Sequence, residues 1–475
     1  MSNPSNSMSG SVRGDSCDPS PERATSQRIL FDCTATLRDR YETGIQRVVR
    51  NLARSGPEAG RELGIECEPV VHLVGGWYLP TASYLSRIDS YRGEFLSPSP
   101  QGVARRLLLS GRRRLRQALV PRPVFNWTMD NYRRLARRFQ CHRLQINPGD
   151  ILLLPDVGWG EQNMQPLAAA RRQGATIGLV SYDLIPLKYP QYQAPEFPRV
   201  FEEWLRDTLS QVDFCVGISR AVSGELQEFI ESEGDRYSHL RDRVGWFPLG
   251  MSLDKADANM EIRPDLREFF ERENASAPFL IVCTLEPRKN HALLLDAFDQ
   301  LRRLCPETRL CVVGRAGWLC DDMVNRLRSH PVWKQRLLWT GELNDAELDY
   351  CYRHSRAFVF PSFAEGFGLP IVEALRYGLP VLASDIPVHR EIGGEFCHFF
   401  DPHSTDQLLQ LMLACLGRAA LPTVRPACEF RPTSWGDASS ALWRECLRLA
   451  ELSRSSGRTQ PNDAGRSETV NRRVA

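Results

Sequence analysis

The strongest constraint on this chain is an alternation that runs along it twice: short apolar runs of strand length, each followed by a stretch with helical spacing. In the first half the runs fall at 28–32, 67–74, 150–155, 176–181, 213–217 and 244–249. Helical stretches lie between them at 43–52, 162–173, 197–209 and 219–230, while the stretch after 67–74, rich in Tyr, Ser and Pro, reads as an irregular loop. In the first of these, Ile45, Val48, Val49 and Leu52 recur at i, i+3, i+4 and i+7 behind Gly44. The pattern restarts after residue 250, with runs at 279–283, 309–313, 337–340, 357–360, 379–384 and 397–400. Strands that alternate with helices form parallel sheets covered on both faces. A chain of 475 residues is too long for one ordinary core, so two such domains are expected. In open sheets of this kind a ligand binds outside the carboxyl ends of the strands.

Composition removes several alternatives. With 42% hydrophobic and 25% charged residues and a net charge of +2, the chain is globular, and bulk charge makes no case for nucleic-acid binding. No run of about 18 uninterrupted apolar residues occurs, so no membrane-spanning helix is expected. Residues 1–27 are rich in Ser, Pro and Gly and lack an apolar h-region; they read as a disordered leader rather than a secretory signal. The polar residues 453–475 read as a disordered tail. The fourteen cysteines are scattered without a C-x-x-C pair, and Cys215, Cys283 and Cys311 lie inside apolar runs. They read as reduced core thiols of a cytosolic protein, not as zinc ligands.

Residues 361–375 read Pro-Ser-Phe-Ala-Glu-Gly-Phe-Gly-Leu-Pro-Ile-Val-Glu-Ala-Leu. This stretch leaves an apolar run, turns through Gly366 and Gly368, and enters a helix that Leu369 and Pro370 open. Pro fits a first helical turn because its missing N–H has no intrahelical partner there. A helix N-terminus behind glycines offers free N–H groups and a positive dipole end, which suits a diphosphate. Glu365 and Glu373, eight positions apart, can both face a ligand above the helix start. A glycine turn alone would equally serve as a tight strand-to-helix connection. The whole phrase resembles the E-x7-E signature of the retaining glycosyltransferases of family 4, also called group 1. The following 379–384 run and Glu391-Ile392-Gly393-Gly394 resemble that family's next segments. The resemblance covers most of residues 28–450 and is strongest from about 279 to 405.

The resemblance implies a glycosyltransferase-B architecture, two facing Rossmann-like domains with the active site in the cleft. An acceptor domain would occupy 28–250 and a nucleotide-sugar donor domain 251–433. A final helix at 434–452 would return to the first domain, and Gly250-Met251-Ser252-Leu253-Asp254 resembles the crossover. Arg288 and Lys289, between a strand end and a helix start, match the positions that neutralise the donor diphosphate. Glu373 would bond the ribose and Glu365 the sugar hydroxyls, while the N–H groups around Gly366, Phe367, Gly368 and Leu369 would meet sugar and diphosphate. Gly44 would approach the diphosphate, with Thr43 where the family usually has a second glycine. Asp183 and Pro186 keep a family pattern, but Tyr182 replaces the His expected to contact the transferred sugar. Tyr182 can donate and accept a hydrogen bond but cannot carry a positive charge.

Charge builds on the β-phosphate as the glycosidic bond breaks, and fixed cations favour that state. With Arg288, Lys289 and the helix dipole in place, neither a metal nor another cofactor is expected. No D-x-D triplet stands at a strand end; Asp321-Asp322 lies at a helix start instead. Retention of configuration also follows from the resemblance, with the leaving phosphate accepting the acceptor's proton and Glu365 not assigned as a nucleophile. The phrases Thr-Gly-Ile-Gln-Arg-Val and Pro-Arg-Lys-Asn look like mannosyl- or rhamnosyltransferases of bacterial surface-polysaccharide assembly. They favour GDP-mannose as donor and a glycan or lipid-linked acceptor.

Other readings are an epimerase or phosphorylase of the same architecture, or a non-catalytic nucleotide-sugar sensor. A nicotinamide dehydrogenase would need a G-x-G-x-x-G after the first strand, and none is there. Residues 102–143 contain twelve Arg and one acid, Asp130. They read as two amphipathic helices. Their basic face is either solvated or docked on the anionic inner face of a membrane, making the protein peripheral. No nucleic-acid partner is expected, since nothing else in the chain supports one.

Overall fold

The structure, a computed structural model, describes residues 27–38, 44–73, 76–86, 141–156, 158, 164–251, 261–272 and 276–455. Among them, six parallel strands of a first sheet run in the order β2 (Glu66–Leu73), β1 (Arg28–Asp32), β5 (Ile151–Leu154), β6 (Thr176–Ser181), β7 (Phe214–Gly217) and β8 (Val244–Trp246). Two antiparallel strands, β3 (Gly76–Pro80) and β4 (Cys141–Arg143), extend the β2 edge. The second sheet is wholly parallel, in the order β11 (Leu337–Trp339), β10 (Leu310–Val313), β9 (Phe279–Val282), β12 (Ala357–Phe360), β13 (Val381–Ser384) and β14 (Cys397–Phe400).

The central strands are continuous apolar runs because helices cover both their faces. On one side of the first sheet the Gly44–Glu62 and Trp435–Ser455 helices pack on Ile29, Phe31, Ile151 and Leu153. On the other, the Met164–Arg172, Phe197–Gln211 and Arg220–Ser232 helices pack on Leu30, Leu152, Ile177 and Leu179. The final helix does return to the first domain. Trp443, fully buried, lies 5.4 Å from the Phe31 ring and donates its indole N–H to the Gly56 carbonyl at 3.0 Å. A Cβ on Gly56 would come within 2.8 Å of that indole, so the approach needs glycine.

The structure departs from the sequence expectations in three places. The stretch after β2, expected as an irregular loop, contains β3, anchored by the buried Trp77. Cys141–Arg143, counted above with the basic helical segment, are the edge strand β4; the rest of 102–143 lies outside the described residues, as do residues 1–26 and 456–475. The final helix runs three residues into the expected tail, where Ser453 is buried and Arg454 donates to the Gly149 carbonyl of the first domain at 2.8 Å. The thirteen described cysteines are all free. No described helix is long and apolar enough to cross a membrane.

Two features position the site. In each sheet the strand order reverses once, between β1 and β5 and between β9 and β12, and the loops diverging there open a crevice. Phe367 and Val372 of the second domain lie within the first domain's core cluster, so the two crevices are held against one another. The crossover segments run side by side, with Met251 N–H donating to the Thr433 carbonyl at 2.9 Å.

Candidate active site

The β9–β12 switch point brings together the loop carrying Arg288 and Lys289 and the loop carrying Glu365. After β9 the chain makes a short 3-10 turn, Pro287–Lys289, and Asn290 adopts a left-handed conformation that starts the His291–Leu304 helix. The two neighbouring cations thereby face the β12 loop. Lys289 Nζ donates to Glu365 Oε1 at 2.6 Å, and Arg288 Nη1 donates to Glu365 Oε2 at 2.9 Å and to the Ala364 carbonyl at 2.9 Å. Arg288 Nη2 also pairs with Glu286 Oε1 at 2.7 Å.

Burial opposes ionisation of Glu365, but Lys289 and Arg288 outweigh it and hold its carboxyl well below the usual carboxylate range. Burial likewise works against the Arg288 charge, and Glu365 and Glu286 more than restore it. Lys289 is buried, with its ammonium 5.2 Å from the Phe360 ring centre. Glu365 and Arg288 are therefore held ionised and paired before any ligand arrives, which removes most of the side-chain ordering that binding would otherwise require.

Past Glu365 the chain turns through Gly368, at φ +99°, into the Leu369–Arg376 helix with Pro370 in its first turn. No side chain caps this helix. Pro370 has no N–H and the Ile371 N–H donates to the Gly368 carbonyl at 2.9 Å, so the Leu369 N–H and the helix dipole are what remain for an anion above them. Glu373, one turn in, is buried and receives Tyr352 Oη at 3.0 Å and Arg47 Nη1 at 2.8 Å. Arg47 belongs to the Gly44–Glu62 helix of the opposite domain, so this ion pair spans the cleft.

From the first domain, Asp183 stands at the end of β6. Its Oδ1 accepts the Ile185 N–H at 3.0 Å, a turn-forming contact, and its Cβ lies 3.4 Å from where a Cβ on Gly366 would sit. Burial raises its pKa and Arg288 offsets this only in part. Tyr182 donates its hydroxyl to the Pro155 carbonyl at 2.6 Å, and burial raises its pKa well above the usual phenol value. Its backbone carbonyl supports the signature, since a Cβ on Gly366 would come within 2.1 Å of that oxygen. Gly44 opens its helix with open space where a side chain would point, and Thr43 lies outside the described residues.

Sequence reasoning missed Arg47, Tyr352 and Glu286. Arg47 sits on the polar face of an amphipathic helix, where its sequence signature is that of any solvated arginine. Cys283 and His291, 3.5 Å apart beside Lys289, do not form a reactive pair. Burial pushes the thiol up to about 12, while burial and Lys289 lower the imidazole to about 3, so both are neutral. Among the described residues no group of three His, Cys, Asp or Glu side chains is placed to hold a metal.

Comparison with known proteins agrees with this geometry. Residues 263–416 match the family model of glycosyl transferases group 1. Escherichia coli serotype-specific mannosyltransferase WbdA is 29% identical over 376 residues, which is 79% of this chain and 41% of WbdA. The chain therefore spans about two fifths of the length of that relative. O-antigen chain mannosyltransferase B of Escherichia coli is 29% identical over 268 residues, 54% of this chain and 67% of that protein. Among solved structures, that of Anabaena Alr3699/HepE in complex with UDP and glucose superposes with a TM-score of 0.50 at 14% identity, covering 90% of this chain and 99% of that one. The match to the group 1 glycosyl transferases thus falls on the second domain, and the two-domain fold is that of the glycosyltransferase-B architecture.

Proposed function

We propose that this protein is a retaining glycosyltransferase that moves a hexose from a nucleotide-diphosphate sugar to a glycan or lipid-linked acceptor of a surface polysaccharide. The observation that carries the reading is the paired Arg288–Lys289–Glu365 cluster facing an uncapped helix N-terminus at the β9–β12 switch point. The relatives' names as serotype-specific and O-antigen mannosyltransferases favour mannose, and GDP-mannose as the donor.

In this reading the acceptor oxygen bonds to the anomeric carbon on the face from which the diphosphate leaves, and the departing phosphate oxygen takes the acceptor's proton. Arg288, Lys289 and the helix N-terminus bind the charge that gathers on the diphosphate. Glu365, held by both cations, presents its carboxylate to the sugar hydroxyls. Glu373 accepts the ribose hydroxyls with the lone pairs that Tyr352 and Arg47 leave free. Asp183 closes the site from the first domain. The cations supply the electrostatic work of a metal, so turnover survives chelation by EDTA.

Calorimetry with GDP-mannose, UDP-glucose and dTDP-rhamnose, followed by transfer from labelled donor to oligomannose or lipid-linked acceptors, tests the reading. Binding without release of nucleoside diphosphate would convert the protein into a sensor. The basic residues of 102–143 favour docking at an anionic membrane surface. Co-sedimentation with phosphatidylserine vesicles, reversed by salt and abolished by Glu at Arg112, Arg113, Arg133 and Arg134, supports that location; indifference to lipid charge rejects it.

A further inference from the structure

Ser219 precedes the Arg220–Ser232 helix of the first domain and is fully buried. Its Oγ accepts the Val222 N–H at 3.1 Å, as an N-cap serine does. The same hydroxyl reaches across the cleft to the Gly366 carbonyl oxygen at 2.9 Å. A hydroxyl has one proton and a carbonyl only accepts, so that proton lies on the Gly366 side. Glu391 of the second domain completes the cap, Oε1 accepting the Arg220 N–H at 2.8 Å and Oε2 the Ala221 N–H at 2.9 Å. One helix start is thus capped from both domains, and this arrangement exists only while the domains are docked.

The consequence falls on the peptide plane between Gly366 and Phe367. A trans peptide is planar, and its C=O and N–H point in opposite directions. Turning the Gly366 carbonyl toward Ser219 turns the Phe367 N–H away from it, and among the described residues that N–H has no acceptor. Gly366 lacks the Cβ that would otherwise restrict its backbone, so without a tether this plane has more than one accessible orientation.

We propose that Ser219 is a positioning residue of the donor site: its bond to Gly366 fixes the Phe367 N–H in the orientation that reaches the donor's sugar diphosphate. The proposal rests on the glycosyl-transfer reading. It makes domain docking a condition for an ordered donor loop, because the serine and the glycine belong to different domains.

Ser219→Ala, Ser219→Gly and Ser219→Thr in the full chain separate this role from that of a helix cap. Transfer is followed with GDP-mannose, UDP-glucose and dTDP-rhamnose, and calorimetry measures GDP affinity. Ala is expected to lower kcat about tenfold or more, below the 10²–10³ typical of removing a transition-state donor outright, since only its orientation is lost. GDP affinity stays within about twofold, because Arg288 and Lys289 still hold the diphosphate. Thr keeps the hydroxyl and restores kcat. Gly is a more tolerable N-cap than Ala, yet loses as much kcat as Ala. Wild-type kcat in Ala, equal losses of kcat and GDP affinity, or activity that follows melting temperature across the three variants overturns the proposal. A wild-type protein that transfers from none of the donors rejects the glycosyl-transfer reading and this role with it; transfer that Ala leaves intact rejects only this role.

Discussion

Lys289, proposed above to bind the donor diphosphate, is also a structural cation. From sequence it reads as a cleft residue that supports no core, but it is buried, and its ammonium is one of two that keep the buried Glu365 ionised. Lys289→Ala is therefore expected to cost up to about 3 kcal/mol of stability, less than a fully orphaned buried charge because Arg288 remains. Turnover should fall about 10²–10³-fold. Thermal unfolding and steady-state kinetics measure the two effects, and a variant that loses neither rejects the assignment. The sign of the pH effect follows from the same pair. A depressed carboxyl stabilises above its ordinary value of 4.5, and that stability is lost as pH falls below it. Lys289→Ala should move the acid-unfolding midpoint upward. Asp32 behaves oppositely: burial, with Asp156 next, pushes its carboxyl from 3.8 up to about 7. Between those values the folded protein holds a proton that the unfolded chain has released, so stability falls as pH rises through the window. Asp32→Asn, which can still accept the Thr34 N–H now bonded at 2.9 Å, should gain a few kcal/mol at pH 8 and little at pH 4. Equal gains at both pH values would reject this. That Glu365, Arg288 and Lys289 belong together was legible through their match to the family signature, and the structure does bring them into contact. Arg47 was not, because its partner lies 326 positions away.

At the scale of elements, the Trp435–Ser455 helix does the most to define the first domain, although it comes last in the chain. Its buried face, Ala438, Leu442, Trp443, Cys446, Leu449 and Ala450, packs into one core with Phe31, Val48 and Leu52. Trp443→Ala should cost about 3–5 kcal/mol, the usual range for emptying a large aromatic from a core. It also leaves the Gly56 carbonyl without its indole donor. Denaturant unfolding is the measurement, and a loss below about 1 kcal/mol would show that the helix is only loosely held. The parallel strands and their helices were readable because continuous apolar runs alternate in order with stretches of 3.6-residue periodicity. The β3 and β4 edge was not: Gly76–Pro80 is bounded by Gly and Pro and buries only Trp77, and Cys141–Arg143 buries only its Cys, so neither gives a continuous apolar run. The last turn to Ser455 was hidden for a related reason. Its sequence is as polar as the tail, and what holds it is burial of Ser453 and the bond of Arg454 to the Gly149 carbonyl, contacts distant in sequence.

For the whole molecule, two Rossmann-like domains would ordinarily be expected to move as separate bodies, since inter-domain contacts are usually small and polar. Here the contacts are of a different kind. Phe367 and Val372 are buried in the first domain's core, and Arg47–Glu373, Ser219–Gly366 and Glu391 with the Arg220 and Ala221 N–H groups surround them. On the far side, Trp318 donates its indole N–H to the Tyr192 carbonyl at 2.8 Å, and the Tyr192 and Phe363 rings stack 5.2 Å apart. The last helix adds a covalent tie, since it leaves the second domain to finish the first. The expected outcome is one calorimetric unfolding transition with calorimetric and van't Hoff enthalpies in agreement, although the chain has two sheets. Replacing Glu391 with Ala removes one half of the shared helix cap, worth about 0.5–2 kcal/mol by the usual effect of losing a cap. Replacing Arg47 with Ala as well releases the ion pair beside it. The double variant should broaden or split the transition. Two well-separated peaks in the unmodified protein would mean that the domains unfold independently and that the buried signature loop does not couple them.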